Sequence, residues 1–330
     1  MIVPAIGLLQ LALLAAAGFV AGIAVVCAGA YPLLRSAIIG IGPARRAWLL
    51  RMLIAAPLGG ALALTALCFL PSLLGVLWPQ VDHCHGHHGH VHLCLLHPPD
   101  SMGGWLGWAI GTAFWACLGT AIAGVLWRAR RSARRLGHLQ LVSRFDAVIG
   151  VHVVDAPLPF SSVIGVVRQR IVLSSALATA LPKRLLQVVL AHEAGHARRR
   201  DGLWQLVGAL LAVAHLPRTR RLLLADVAVA SEQACDEHAD EVIRDRLAVA
   251  RAILAVERLL GDRTPGALPA PGFGGGDVAA RIEALLAPPS GPPRRRTTVA
   301  LIAIAAVAAA LAASDALHHW TETALGLLVG

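Results

Sequence analysis

His192, Glu193 and His196 stand in the order HExxH within AHEAGHARRRD, residues 191–201. On a helix, His192 and His196 share a face at i and i+4, so both imidazoles can reach one tetrahedral metal ion. Glu193 lies one position round, angled to hold a water as general base. A zinc ion there lowers the pKa of water to about 7 and polarises a carbonyl, which is the chemistry of hydrolysis at neutral pH. The flanking run LLQVVLA is apolar, so His192 and Glu193 fall where side chains are buried. Unpartnered polar groups are costly in such a place. The bland alternative is a chance surface motif.

A catalytic zinc site needs a third protein ligand and one open position. The stretch SEQACDEHADE, residues 231–241, supplies candidates. Glu232 and Asp236 are i and i+4 on one helix face. Glu232 is the expected third ligand, and Asp236 is expected to accept a proton from the far nitrogen of a ligand histidine. His238 is a further candidate, as ligand or transition-state donor. Glu237, Asp240 and Glu241 fit a solvated acidic face that pairs with the arginines at 218–221 and 244–246. His215 reads as a packed histidine, and Cys235 as a packing residue.

The elements that position these residues belong to a greasy chain. Its 330 residues are 57% hydrophobic and 15% charged, whereas soluble domains carry about 25% charge. The composition points to a mainly α membrane protein. The net charge of +10 does not imply direct nucleic-acid contact, because the arginines cluster beside apolar runs, as the positive-inside rule requires. Spans are expected at residues 2–30, Leu49–Leu77, Gly104–Trp127 and Thr298–Ala313, with Pro57 and Pro71 as kinks. Arg35, Arg45, Arg46 and Arg51 follow the first span, RARRSARR follows the third, and PPRRRT precedes the fourth; Trp78–Gly103 has no Lys or Arg. The topology that fits has the N-terminus outside, residues 128–297 in the cytosol and a short outer tail.

Four regions follow from this. Residues 1–135 form a three-span membrane domain, and 136–260 a cytosolic α+β metallopeptidase domain. Residues 261–297 are a Gly/Pro-rich linker containing the amphipathic piece DVAARIEALLA, and 298–330 are the fourth span and tail. Within the cytosolic part, AVIGVHVVD and SSVIGVVRQRIVLSS read as strands, a helix runs from Pro182 through HExxH, and another covers Leu222–Leu260. The run 203–217 is short for a span. A crossing there would put His196 and Glu232 on opposite sides of the bilayer, so it is expected to be a hairpin, re-entrant or packed on the other spans.

The outer loop VDHCHGHHGHVHLCLLH, residues 81–97, offers His83, Cys84, His85, His87, His88, His90, His92, Cys94 and His97. Histidine-rich tracts bind Zn, Cu or Ni. A second metal that gates the peptidase is one reading; a flexible loop with a Cys84–Cys94 disulfide is the other.

HEAGHARRRD followed by EQACD resembles the membrane zinc metallopeptidases of the beta-lactam-receptor antirepressor family, with HExxH, a basic tail and Asp, then ExxCD. PLPFSSVIGVVRQRIVLSSAL and ARIEALL are similar to further segments of that family. The resemblance implies a gluzincin fold with His192, His196 and Glu232 on zinc and Glu193 as base. It also implies a strand near 163–173 whose edge receives substrate. Its implied substrate is a protein, a winged-helix repressor or the chain itself through the 261–296 linker. One departure stands out: the only lysine, Lys183, has Ala180 three residues before it, and the chain ends about 17 residues after the fourth span. A penicillin-binding sensor domain with its Ser-x-x-Lys motif is therefore not expected. Rival readings are a quality-control protease of the Ste24 or heat-shock type and a non-catalytic metal sensor or transporter.

Overall fold

A computed structural model describes residues 2–78, 93–95, 104–165, 169–261, 278–287, 308–309 and 311–329. Helix α1 is Ile2–Ile39 and α2 is Pro43–Cys68, with Pro43 in the first turn, where a missing N–H costs nothing. The chain breaks at Phe69 ahead of Pro71, and α3 follows as Leu70–Leu77. Helix α4, Trp105–Val142, continues well past the expected end at Trp127, carrying RARRSARR as its next turns. Three stretches, Ala5–Ile39, Pro43–Leu77 and Trp105–Val142, are long and apolar enough to cross a membrane. The expected fourth span, Thr298–Ala313, lies mostly outside the described residues.

The strands form one four-stranded sheet: β1 Arg144–Asp146, β2 Val151–Val154, β3 Ser161–Ile164 and β4 Arg170–Ser174, in the order β1-β2-β4-β3. β2 pairs parallel to β4, and β3 antiparallel to β4. The run read as one strand near 163–173 is therefore two. Gly165, at φ +105, ends β3 in a conformation that L side chains rarely adopt. Of these two, β3 lies at an edge of the sheet, as β1 does at the other, while β4 is paired on both sides.

Helix α5, Ser175–Ala180, starts on Ser174, whose hydroxyl accepts from Leu177 N–H as an N-cap. Then come α6 Lys183–Arg199, α7 Asp201–Leu211, a 3-10 turn at Ala212–Ala214 and α8 Pro217–Ile243. The single helix expected over Leu222–Leu260 breaks at Arg244, which adopts φ +58. Asp245 then caps α9, Arg246–Gly261, by accepting from Ala248 N–H. The run 203–217 is a short helix packed against α2 and α4.

Two of the buried apolar clusters among the described residues bear on the positions of α6 and α8. One lies between the sheet, α6, α9 and α10 (Val278–Leu286), with Val188, Val189, Val249, Ile253 and Leu285 inside. The other joins Tyr31, Leu50 and Ile54 of the long helices to Ala212, Leu223 and Ala230. Helix α8 and the turn before it therefore share buried apolar surface with α1 and α2. The expected tail is a helix, α11 (Ser314–Val329), which packs against α2 and α3.

Candidate metal centre

Helix α6 buries one face against the sheet and α8, and HExxH lies on that face. His192 and Glu193 are almost fully buried, at 0% and 1% exposure. Helix α8 comes close because residue 195 is glycine: a Cβ there would meet Cys235 Cα, Cβ and Sγ at 3.3 Å. This approach sets Glu232 and Asp236 opposite the two histidines.

The cluster converges on two imidazole nitrogens and the two oxygens of one carboxylate. His192 Nε2 and His196 Nε2 are 3.1 Å apart, and each lies 3.4 Å from an oxygen of Glu232. Each imidazole is fixed from behind. His192 Nδ1 lies 2.9 Å from Asp236 Oδ1, and His196 Nδ1 lies 3.0 Å from Asp201 Oδ2. Ionised carboxylates only accept, so both Nδ1 atoms carry the proton. Both Nε2 atoms then face one another and a carboxylate, and with the rings neutral they would present only lone pairs. That arrangement repels itself unless a cation sits among them. A tetrahedron with arms of about 2.05 Å has edges of about 3.3 Å, close to the nitrogen–nitrogen separation and to the distance of each nitrogen from its nearer Glu232 oxygen. Glu232 Oε2 is buried and, among the described residues, has ion-pair neighbours but no hydrogen bond. The residues present therefore fit a zinc-type ion.

The electrostatics agree. Burial opposes charge on all three groups and is outweighed. Asp236 and Glu232 raise His192; Asp201, Cys235 and Glu232 raise His196; and the imidazoles hold Glu232 well below the usual carboxylate range. A field that favours positive charge here favours a divalent cation too. A second grouping, His196, Asp201 and Cys235, shares the same histidine. There Asp201 already accepts from His196, and burial pushes the Cys235 thiol up to about 11, so it stays protonated and donates to Asp201 at 3.6 Å.

Several residues that hold the cluster were not read from the sequence. Arg281 of α10 is fully buried and bonds Asp236 with Nε at 2.8 Å and Nη2 at 2.7 Å, with Nη1 3.4 Å from Glu232 Oε2. Ser161 Oγ of β3 donates to Glu193 Oε1 at 2.7 Å. Arg51 Nη2 of α2 donates to Asp201 Oδ1 at 2.7 Å. The signal for Arg281 is the one arginine of the amphipathic piece DVAARIEALLA. The signal for Asp201 is an acid just after a helix end, where Arg200 takes the left-handed conformation at φ +53 and turns the next residue back toward His196. His238 pairs with exposed Glu241 at 3.6 Å, and the structure brings it into no described contact with the cluster. His215 is packed, with Nε2 3.2 Å from the Ile54 carbonyl. Of the outer loop, His83, Cys84, His85, His87, His88, His90, His92 and His97 lie outside the described residues; Cys94 is buried.

A buried histidine–glutamate cluster joined to helices of membrane-spanning length is the architecture of a membrane-associated metallopeptidase. The chain belongs to the BlaR1 peptidase M56 family, whose model matches residues 102–283. That match takes in α4 and reaches Arg281, while α1 and α2 lie ahead of it. Comparison with curated proteins and with solved structures finds no match.

Proposed function

We propose that this chain is a zinc metalloendopeptidase of the gluzincin kind, with His192, His196 and Glu232 holding the ion and Glu193 as general base. The observation that carries the reading is the convergence of two Nε2 atoms, 3.1 Å apart, on one carboxylate whose two oxygens lie 3.4 Å from them. What a bound zinc supplies is Lewis acidity toward a water and toward the scissile carbonyl. The chain's own residues do the rest. Glu193 has one oxygen tied to Ser161, leaving the other to take a proton from the attacking water and pass it to the departing amine. The free edge of β3 begins at Ser161, so an extended peptide pairing there would lie beside Glu193.

In this reading the protein sits in a bacterial inner membrane with the cluster on the cytosolic side, where Arg35, Arg45, Arg46 and Arg51 mark the inner ends of α1 and α2. Its substrate is a cytosolic or membrane-proximal protein, a winged-helix repressor or the chain itself, and the cut serves signal transduction. The 261–296 linker, the proposed self-cleavage site, lies largely outside the described residues.

The test is Glu193→Gln in native membranes, with quantitative proteomics against wild type. Cleavage should fall by about 10²–10⁴-fold while bound zinc is retained. An unchanged proteome and an unchanged chain length in the variant would mean a metal sensor or transporter instead.

A further inference from the structure

The cluster is not completed by the peptidase elements alone. Asp201, which orients His196, is 1% exposed, and the guanidinium that answers it comes from α2, a spanning helix. Arg51 donates to Asp201 Oδ1 at 2.7 Å while His196 takes Oδ2 at 3.0 Å. The guanidinium is held in place: Arg51 also reaches Ser231 Oγ at 3.4 Å and lies over the Trp204 ring at 5.4 Å. Five residues earlier on α2, buried Arg46 bonds Gln233, whose amide donates to the Ala280 carbonyl at 2.7 Å. Ala280 precedes Arg281, which answers Asp236 behind His192. Two routes thus run from the first half of α2 to the two histidines, one through Asp201 and one through α10.

We propose that Arg51 is a positioning residue of the metal centre: through Asp201 it fixes the ring of His196, so that the spanning helix α2 completes the peptidase site. The physical reason is that a buried carboxylate shared between an imidazole and a guanidinium is pinned by both. Without the guanidinium, Asp201 is free to rotate toward Arg199, 3.5 Å away, and His196 loses its fixed acceptor. Partners behind a metal-ligating histidine typically contribute about 10–100-fold in metal affinity. The inference rests on the zinc reading above.

The test uses the full-length protein in detergent, stripped of metal and titrated with zinc against a chromophoric chelator. The site's occupancy is counted as the difference from the His192→Ala/His196→Ala variant, which removes any contribution from the outer loop. Arg51→Met should weaken that site by about tenfold or more, and Arg51→Lys should recover part of the loss by reaching one Asp201 oxygen. Cobalt substituted for zinc gives a second reading, because its visible absorption reports ligand geometry: the band should shift in Arg51→Met and return toward wild type in Arg51→Lys. A merely structural role would lower the melting temperature of the metal-free protein and leave the zinc affinity and cobalt spectrum unchanged; that result overturns the proposal. If wild type and His192→Ala/His196→Ala bind zinc alike, the zinc reading itself fails. If they differ but Arg51→Met matches wild type, only the role of Arg51 fails.

Discussion

The two ends of α2 carry two buried histidine–carboxylate groupings, and they are built on different logic. Near Arg51, the imidazoles of His192 and His196 turn their Nδ1–H groups outward to aspartates and their Nε2 lone pairs inward toward Glu232. About 25 Å along the helix, beyond Cys68, His318 of α11 points Nδ1 at the Cys68 carbonyl, 2.7 Å away, and Nε2 at Glu322, 3.2 Å away. Glu322 also accepts the Leu93 N–H at 2.8 Å. The first grouping concentrates lone pairs and calls for a cation from outside. The second gives each ring nitrogen its own acceptor, so a proton on the imidazole satisfies both. One arrangement suits metal chemistry, and the other suits a latch that fastens α11 to α2.

The largest effect should come from removing convergence. Glu232→Ala leaves two imidazoles without the carboxylate on which they converge. Metal content, measured by mass spectrometry on purified protein, is expected to fall to that of His192→Ala/His196→Ala, with cleavage abolished. Retention of a full complement of metal in Glu232→Ala would mean that the third ligand lies elsewhere and that the contrast between the two ends is misdrawn.

Next in size is Arg281→Met, which leaves the buried Asp236 carboxylate without its guanidinium and should cost about 3–5 kcal/mol. Replacing both partners, Arg281→Met with Asp236→Leu, removes the uncompensated charge and should restore much of the stability. Metal affinity should stay low in the double variant, because His192 Nδ1 has lost its acceptor. Thermal melts and chelator competition read the two quantities apart. If affinity recovers along with stability, the Asp236 contact holds the fold and not the ligand.

What could be read from the sequence follows the range of the interaction. His192 with His196, and Glu232 with Asp236, are each set by one helical period, so the cluster's members were legible as residues of shared faces. Arg51, Arg281 and Ser161 meet their partners only through tertiary packing, across 150, 45 and 32 residues. Local pattern gave Arg51 another meaning as well, since an arginine at the inner end of a span already satisfies the positive-inside rule. In the structure Arg35 bonds Asp226, Arg46 bonds Gln233 and Arg51 bonds Asp201, so three of those arginines tie α1 and α2 to α7 and α8. The strand run 161–175 concealed a hairpin because Gly165 sits between two equally β-prone halves, and only pairing shows which half is the edge. Helix α11 was hidden because Asp315, His318, His319 and Glu322 at i, i+3, i+4 and i+7 look like a polar tail until a partner covers that face.

A smaller effect probes how closely α8 must approach α6. In Gly195→Ala the new methyl meets backbone as well as side chain of Cys235 at 3.3 Å, so the helices must part by a few tenths of an ångström. Stability should drop by about 1–3 kcal/mol. Adding Cys235→Ala removes only the Sγ contact and should return part of it. Full recovery would place the conflict on sulfur alone.

The smallest expected effect lies at the α11 end and carries a pH signature. Burial would lower the pKa of His318, but Glu322 outweighs it, so the pKa lies above its ordinary 6.5. A histidine whose pKa is raised on folding adds stability that is fully present below the unfolded value and fades as pH rises through the folded one. Glu322 and His319 on α11 and Cys94 on the chain packed against it are the titratable groups facing this ring. His318→Gln keeps a polar side chain but cannot take the proton. The melting temperature of wild type should therefore exceed that of His318→Gln by most in mildly acid buffer, with the gap narrowing as pH rises above about 6.5. Zinc affinity at the His192 cluster should be the same in both proteins. A gap that stays constant with pH would show that His318 packs as a neutral ring, and the latch would then rest on the Cys68 carbonyl contact and on Glu322 with Leu93 instead of on an ion pair.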